Sequence, residues 1–321
     1  MLQKYRIPLK SPNFAVNYNK IQMKKNLFVL FVAVFAIICS KGQTLGAMYD
    51  PEDSIMVEQL LQKAQDLPRH ENVILFFGKQ FVGLPYGAAT LEKSDTERLI
   101  VNLKQLDCTT FVETVTALTL CHRNKKHRFA DYCQALKTIR YQGGVLNQYP
   151  SRNHYFSTWI ESNERLGIVS EIGPEGHSKI SPFTAVQKLK IDFMTKHAEL
   201  YPALVNHPEF LSPIAATEKS LTGRTIRYIP KQALGGPKYL LGKAIHDGDI
   251  LALVTQKDGL DVSHLGFAVW MSDGKLHLLH ASSLRHKVIF DDLTLKDYQL
   301  KQHTQTGVRV IRINKGQKAF E

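Results

Sequence analysis

The stretch LDCTTFVETVTAL, residues 106–118, sets a cysteine where an amphipathic helix should begin, with Asp107 placed to cap it and Cys108 at its first position. At the first turn of a helix the backbone N–H groups lack partners and the dipole is positive, and both favour a thiolate. The same N–H groups can hold an oxyanion formed on an attacked carbonyl. Position alone weighs equally for an inert buried cysteine. A sulfur nucleophile also needs a histidine base and a group that holds the base in one tautomer. Two histidines stand in a β-rich segment nearer the C-terminus, His264 opening HLGFAVWM and His280 ending LHLLH.

The turn between them, Met271-Ser272-Asp273-Gly274-Lys275, decides whether they meet. A two-residue Asp-Gly loop pairs His280 with Phe267 and puts the two imidazoles on opposite faces. A three-residue loop ending in a left-handed Gly274 pairs His280 with Gly266. His280 then lies diagonal to His264 on one face, with the backbones roughly 7–8 Å apart. Cysteine–histidine chemistry therefore requires the three-residue turn. His277 shares the parity of Leu279 and falls on the face opposite His280. His122, His127, His197, His207 and His286 are expected to be surface or structural residues, and no H-x-x-x-H or C-x-x-C spacing offers a metal site.

These groups need a scaffold, and 321 residues with 44% hydrophobic content can build one. The formal charge of +12 suggests nucleic acid, but residues 1–42 hold seven Lys or Arg and no acid. The remainder has 34 basic against 29 acidic residues, a balance of +5. That remainder has no Arg-rich stripe or aromatic-basic repeat, so nucleic-acid binding is not expected. Lys24 and Lys25 precede NLFVLFVAVFAIIC, a run too short to span a membrane comfortably. It reads as a secretory signal over residues 1–42, with cleavage before Gln43 and residues 1–22 as an upstream extension. The expected location is the periplasm or cell envelope. Lipidation at Cys39 is the weaker alternative, because Ile38 is bulky, and only in that case is a membrane a partner. Three cysteines then remain, so at least one is unpaired; Cys121 and Cys133 are either bridged or buried thiols.

Helices are expected in SIMVEQLLQKAQDL, NVILFFGKQFVG, FADYCQALKTIRY and FTAVQKLKIDFMTKHAEL, loops in GLPYGAATLE and YPSRNHYFSTWI, and a strand in RLIVNLKQLD. DGDILALVT, SHLGFAVWM, KLHLLHASS and GVRVIRI read as strands. Helices first and an antiparallel sheet later is the α+β pattern. It points to one catalytic domain over 43–321, with a helical and loop insertion at about 122–226.

In this order GLPYGAATLE, LDCTTFVE, GDILALVT, SHLGFAVW and LLHASS resemble the NlpC-type branch of the papain-like cysteine peptidases. The closer resemblance is to its N-acetylmuramoyl-L-alanine amidase-like family, with SRNHYFSTWI and RYIP as further similar segments. The resemblance implies a papain-like core with the nucleophile helix packed on an antiparallel sheet, and hydrolysis of a cell-wall amide in peptidoglycan muropeptides without a cofactor. It makes Cys108 the nucleophile, His264 the base and then acid, and His280 the residue that orients His264. Tyr86 joins the Cys108 N–H in the oxyanion site. Thr109-Thr110 replaces the family's usual Ser-Gly. Asp107, Thr109, Arg152, His154, Tyr155 and Trp159 are candidate substrate contacts, Arg152 through a peptide carboxylate and the aromatics by covering sugar or peptide. The competing readings are an endopeptidase for the D-glutamyl to diamino-acid bond, a non-catalytic wall-binding module and an acyltransferase.

Overall fold

The computed structural model describes residues 46–92, 94, 96–174 and 181–315. The candidate leader over 1–42, with Cys39, lies outside the described residues. Among the described helices none is long and apolar enough to cross a membrane.

Helices α1 (Pro51–Lys63), α2 (Val73–Gln80), α3 (Cys108–Arg123), α4 (Phe129–Arg140) and α5 (Phe156–Arg165) come first. Strands β1 (Val169–Ile172) and β2 (Ala185–Lys188) follow, then short helices α6 (Phe193–Lys196), α7 (Pro202–Asn206) and α8 (Leu211–Leu221). The rest is β3 (Thr225–Pro230), α9 (Lys238–Leu241), β4 (Ile250–Thr255), β5 (Val262–Trp270), β6 (Leu276–Ser282), β7 (Lys287–Phe290), α10 (Leu295–Leu300) and β8 (Gln305–Ile313). The strands form one antiparallel sheet in the order β2-β3-β8-β4-β5-β6-β7, with β1 also paired to β8. The fold class is α+β, as expected.

Both faces of the central strands are covered, which explains why β4 and β6 read as nearly unbroken apolar runs. On one face Leu265, Phe267 and Leu279 join the cluster that holds α1 to α5. On the other, Leu251, Ala268 and Leu278 pack with Leu295 and Tyr298 of α10. The α3 helix is buried along its length from Thr110 to Cys121, and Phe111 meets Phe267 edge-on at 5.6 Å. A polar position inside this layer, Glu113, is held by the Arg140 guanidinium at 2.7 Å.

Three elements differ from the sequence expectation. Residues 98–107 form no strand, because side chains take their donors: Asn102 accepts the Lys104 and Gln105 N–H groups, and Asp53 accepts that of Leu103. Residues 183–200 are not one helix; Ala185–Lys188 pairs with β3, Phe193–Lys196 is a single α-helical turn, and Ala198–Leu200 is a 3-10 turn. The stretch 149–160 is half helix, since Phe156, Trp159 and Ile160 bury one face of α5.

Candidate active site

Cys108 is the first residue of α3 and is half-buried. The Asp107 carboxylate accepts the Thr110 N–H at 2.7 Å, and the Thr110 hydroxyl accepts the Asp107 N–H at 2.9 Å, a reciprocal cap that fixes where the helix starts. Asp107 thus serves the helix. At a helix start a thiolate and a buried thiol weigh equally, and here burial tips the balance toward the thiol. Burial, and then the Asp107 carboxylate, push the Cys108 thiol up to about 12, against the Leu265 N–H, the Thr109 hydroxyl and Cys108's own N–H, which pull the other way. The resting sulfur is a neutral thiol, and a base must take its proton during attack.

That base is at hand. His264 lines the same cleft as Cys108 and is 8% exposed; burial, and then His280, lower it to about 3, so it rests as a neutral imidazole. Beside it the pairing of β4 with β5 slips between Leu253↔His264 and Val254↔Val262, leaving Ser263 as an extra residue. Such a bulge re-aims the neighbouring side chain, here His264.

The β5–β6 hairpin has the register that the chemistry needs. Phe267 pairs with Leu279 and Trp270 with Leu276, Met271 N–H bonds to Lys275 O at 3.1 Å, and Gly274 is left-handed at φ 75°. His280 therefore falls opposite Gly266, and His264 Nε2 lies 2.6 Å from His280 Nδ1 with the rings nearly perpendicular. Gly266 is required at this place, since a Cβ there would sit 2.9 Å from His280 Cβ. His277 faces the other way, onto Asp291 O and Asp273.

Two neighbours were not expected. Asp291, just beyond β7 and 4% exposed, places Oδ2 at 3.1 Å from His280 Nε2, while its Oδ1 accepts the Leu293 N–H at 2.9 Å. The Tyr298 ring stands 5.4 Å from His280 and 6.2 Å from His264. Tyr86 is held in its loop by its N–H on His286 O and by the Gly87 N–H on Leu106 O. Burial, then Cys108, then Asp107 raise its hydroxyl to about 12, so it stays protonated within electrostatic reach of the sulfur.

The cleft next to Cys108 has a volume of about 210 Å³. Thr109, His154 and Tyr155 line it together with Tyr149, Phe156 and Tyr201. His154 donates Nε2–H to Tyr149 O at 2.8 Å, and burial followed by Arg152 lowers it to about 3. The Tyr155 hydroxyl is already engaged, donating to Glu218 and accepting the Met194 N–H. Two expected contacts lie elsewhere. Arg152 is buried against Glu97 at 2.6 Å and against Glu92, so its charge is spent inside the protein. Trp159 is fully buried and stacks on Phe156 at 4.9 Å as part of the core. Cys121 and Cys133 are buried free thiols. Among the described residues no three His, Cys, Asp or Glu side chains gather into a metal-binding group.

Comparison with known proteins shows the family. The sequence profile of the AmiA-like, N-acetylmuramoyl-L-alanine amidase-like, family matches residues 76–307. Among solved structures, an N-acetylmuramoyl-L-alanine amidase from Bacteroides uniformis is 35% identical with a TM-score of 0.69, over 79% of this chain and 99% of that one. A Bacteroides fragilis protein named as a candidate xylanase is 41% identical with a TM-score of 0.67, over 74% and 99%. A Legionella pneumophila protein at 22% identity and a TM-score of 0.63, over 82% and 94%, shares the fold. Among curated proteins none matches. With its profile match spanning most of the chain, the protein belongs to the N-acetylmuramoyl-L-alanine amidase-like family.

Proposed function

We propose that the protein is a cysteine-dependent amidase that cleaves the bond between the lactyl group of N-acetylmuramic acid and L-alanine in peptidoglycan fragments. Cys108 Sγ attacks the lactyl carbonyl as its proton passes to His264. The tetrahedral oxyanion is met by the Cys108 N–H and the Tyr86 hydroxyl. On collapse the amine of L-alanine leaves with the proton from His264, and a thioester remains on Cys108. His264 then deprotonates a water that hydrolyses the thioester, releasing the muramic carboxylate and the free thiol. No cofactor enters this sequence. A papain-like NlpC-type core in one catalytic domain over 43–321, exported by a signal over 1–42, belongs to the same reading.

The observation that carries it is how the carboxylates of the cleft are engaged. Among the described residues these are Glu92, which shares the Arg152 guanidinium with Glu97, and Asp261, which accepts the N–H groups of Ser157 and Val262 at 2.6 and 2.8 Å. The rest of the wall is rich in tyrosine, which suits a sugar with its N-acetyl group. A D-glutamyl endopeptidase has to receive a free L-alanine ammonium, and among the described residues of the cleft each carboxylate already has a partner. A retaining or inverting xylanase needs two carboxyl groups free to act on a glycosidic bond, and both carboxylates here are occupied. The test is product mass spectrometry on a muropeptide with its sugar, the same peptide without it, and xylan. Release of sugar and intact peptide from the first substrate alone is expected. Cleavage inside the sugar-free peptide would make the protein an endopeptidase, and cleavage of xylan a glycosidase.

A further inference from the structure

We infer that Asp291 is the positioning residue that sets the tautomers of both His280 and His264, so that the nitrogen of His264 offered to Cys108 is a base. The inference rests on the reading of Cys108 as nucleophile, and it assigns work to a residue nine-tenths buried behind the pair.

Asp291 is held ionised: burial opposes this, but the hydrogen bonds from His280 and the Leu293 N–H and the nearby Arg285 charge outweigh it and keep the carboxyl below its usual range. An ionised carboxylate only accepts. At 3.1 Å from Asp291 Oδ2, His280 Nε2 must therefore carry the hydrogen. A neutral imidazole with Nε2–H has a bare Nδ1, which can only accept. With His280 in its neutral form, the donor across the 2.6 Å contact is then His264 Nε2–H. That leaves His264 Nδ1 with its lone pair, the state able to take the proton from Cys108.

Without the carboxylate the relay can run backwards. His280 in its other tautomer would donate from Nδ1 to His264 Nε2, and His264 would then hold its hydrogen on Nδ1, where it cannot receive another. Sequence spacing does not show this, because the link depends on the β6–β7 register, with His280 opposite Ile289, carrying Asp291 back beneath the imidazole. Asp291 is also the anion in line with His264 when that ring becomes an imidazolium. Its other oxygen is anchored by Leu293, so it cannot swing away without breaking the turn into α10.

Long-range ¹H–¹⁵N spectra of histidine-labelled protein read the tautomers directly, and iodoacetamide alkylation of Cys108 reads its deprotonation without any wall substrate. In the wild type both His264 and His280 are expected as Nε2–H tautomers. In Asp291→Asn, which keeps the volume and, through its amide oxygen, the Leu293 contact, the amide NH2 faces His280 Nε2, and a shift of His264 toward the Nδ1–H tautomer is expected. Alkylation should slow and kcat should fall together by roughly 10²-fold, with KM within about twofold, since one general-base contribution is lost. Asp291→Glu should recover part of both rates. A wild-type His280 carrying its hydrogen on Nδ1 would overturn the inference with no variant needed. So would an Asp291→Asn protein whose His264 tautomer and alkylation rate match the wild type. If the wild type fails to cleave muropeptides, the proposed substrate falls, while the spectra and the alkylation still decide the role of Asp291.

Discussion

Replacing Gly266 with alanine probes the step on which the catalytic pair depends, the close passage of β5 and β6. A Cβ at 266 would lie 2.8 Å from Leu278 Cδ1 and Cγ and 2.9 Å from His280 Cβ. Carbon pairs are at ease near 3.5–4.0 Å, so the shortfall is roughly 0.6–1.2 Å. Leu278 can turn its tip away, but His280 Cβ is bonded to the backbone, so the strand or the imidazole must move. Overpacking of this kind costs about 1–3 kcal/mol, which at 2–4 °C per kcal/mol lowers Tm by roughly 2–12 °C. A shift of the same size stretches the 2.6 Å His264–His280 contact beyond hydrogen-bonding range. Misplacement by about 1 Å is worth up to 10²-fold in rate. The control is Gly274→Ala, at φ 75° with no atom within 4 Å of the added carbon. It should cost about 1–2 kcal/mol through its left-handed backbone and leave kcat nearly unchanged. Thermal unfolding and turnover of both variants give the answer. A Gly266→Ala protein with wild-type kcat would refute the claim that this approach aligns the imidazoles.

Arg152→Ala strands Glu97 and Glu92 without their cation and should destabilise the fold by about 3–5 kcal/mol in denaturant titration; unchanged stability with a raised KM would return Arg152 to the substrate. His264 and His154 bind protons near 3 when folded but near 6.5 when unfolded. The unfolded chain thus holds more protons between those values, so stability should rise with pH from 3 to 6.5 and be lost on acidification through that window. The acid limb of kcat/KM should likewise lie well below 6.5, and a limb at 6.5 would contradict a buried neutral base. Asp107→Asn keeps the helix cap and removes an anion that raises the thiol, so the pH midpoint of Cys108 alkylation should move down from about 12; an upward move would show that the cap, not the charge, governs the sulfur.

How far the site was legible depended on the range of the interactions. Asp107, Cys108 and the apolar positions of α3 lie within one helix, and capping and periodicity place them. The meeting of His264 with His280 followed from one turn, because Gly274 limits the hairpin to two registers. Asp291 was out of reach because its link to His280 passes through a second register and an irregular exit from β7. Arg152 looked like a receptor for carboxylate because its partner Glu97 stands 55 positions earlier, beyond any local pattern. Trp159 belongs to a helix whose start an aromatic, polar stretch disguised. Whether Cys108 rests as thiol or thiolate stayed open in the sequence for a related reason: depth of burial is a property of the assembled layers, and it opposes a helix terminus that local sequence does reveal.

The central claim, that Cys108 becomes acylated by the muramic lactyl group, is tested most directly by intact-mass and peptide mass spectrometry of protein quenched in acid during turnover of a sugar-bearing muropeptide. A fragment containing Cys108 that carries the sugar and its lactyl chain as a thioester is expected, absent when Cys108 is replaced by alanine. A peptide adduct without sugar at Cys108, or turnover persisting in the Cys108→Ala protein, would contradict it.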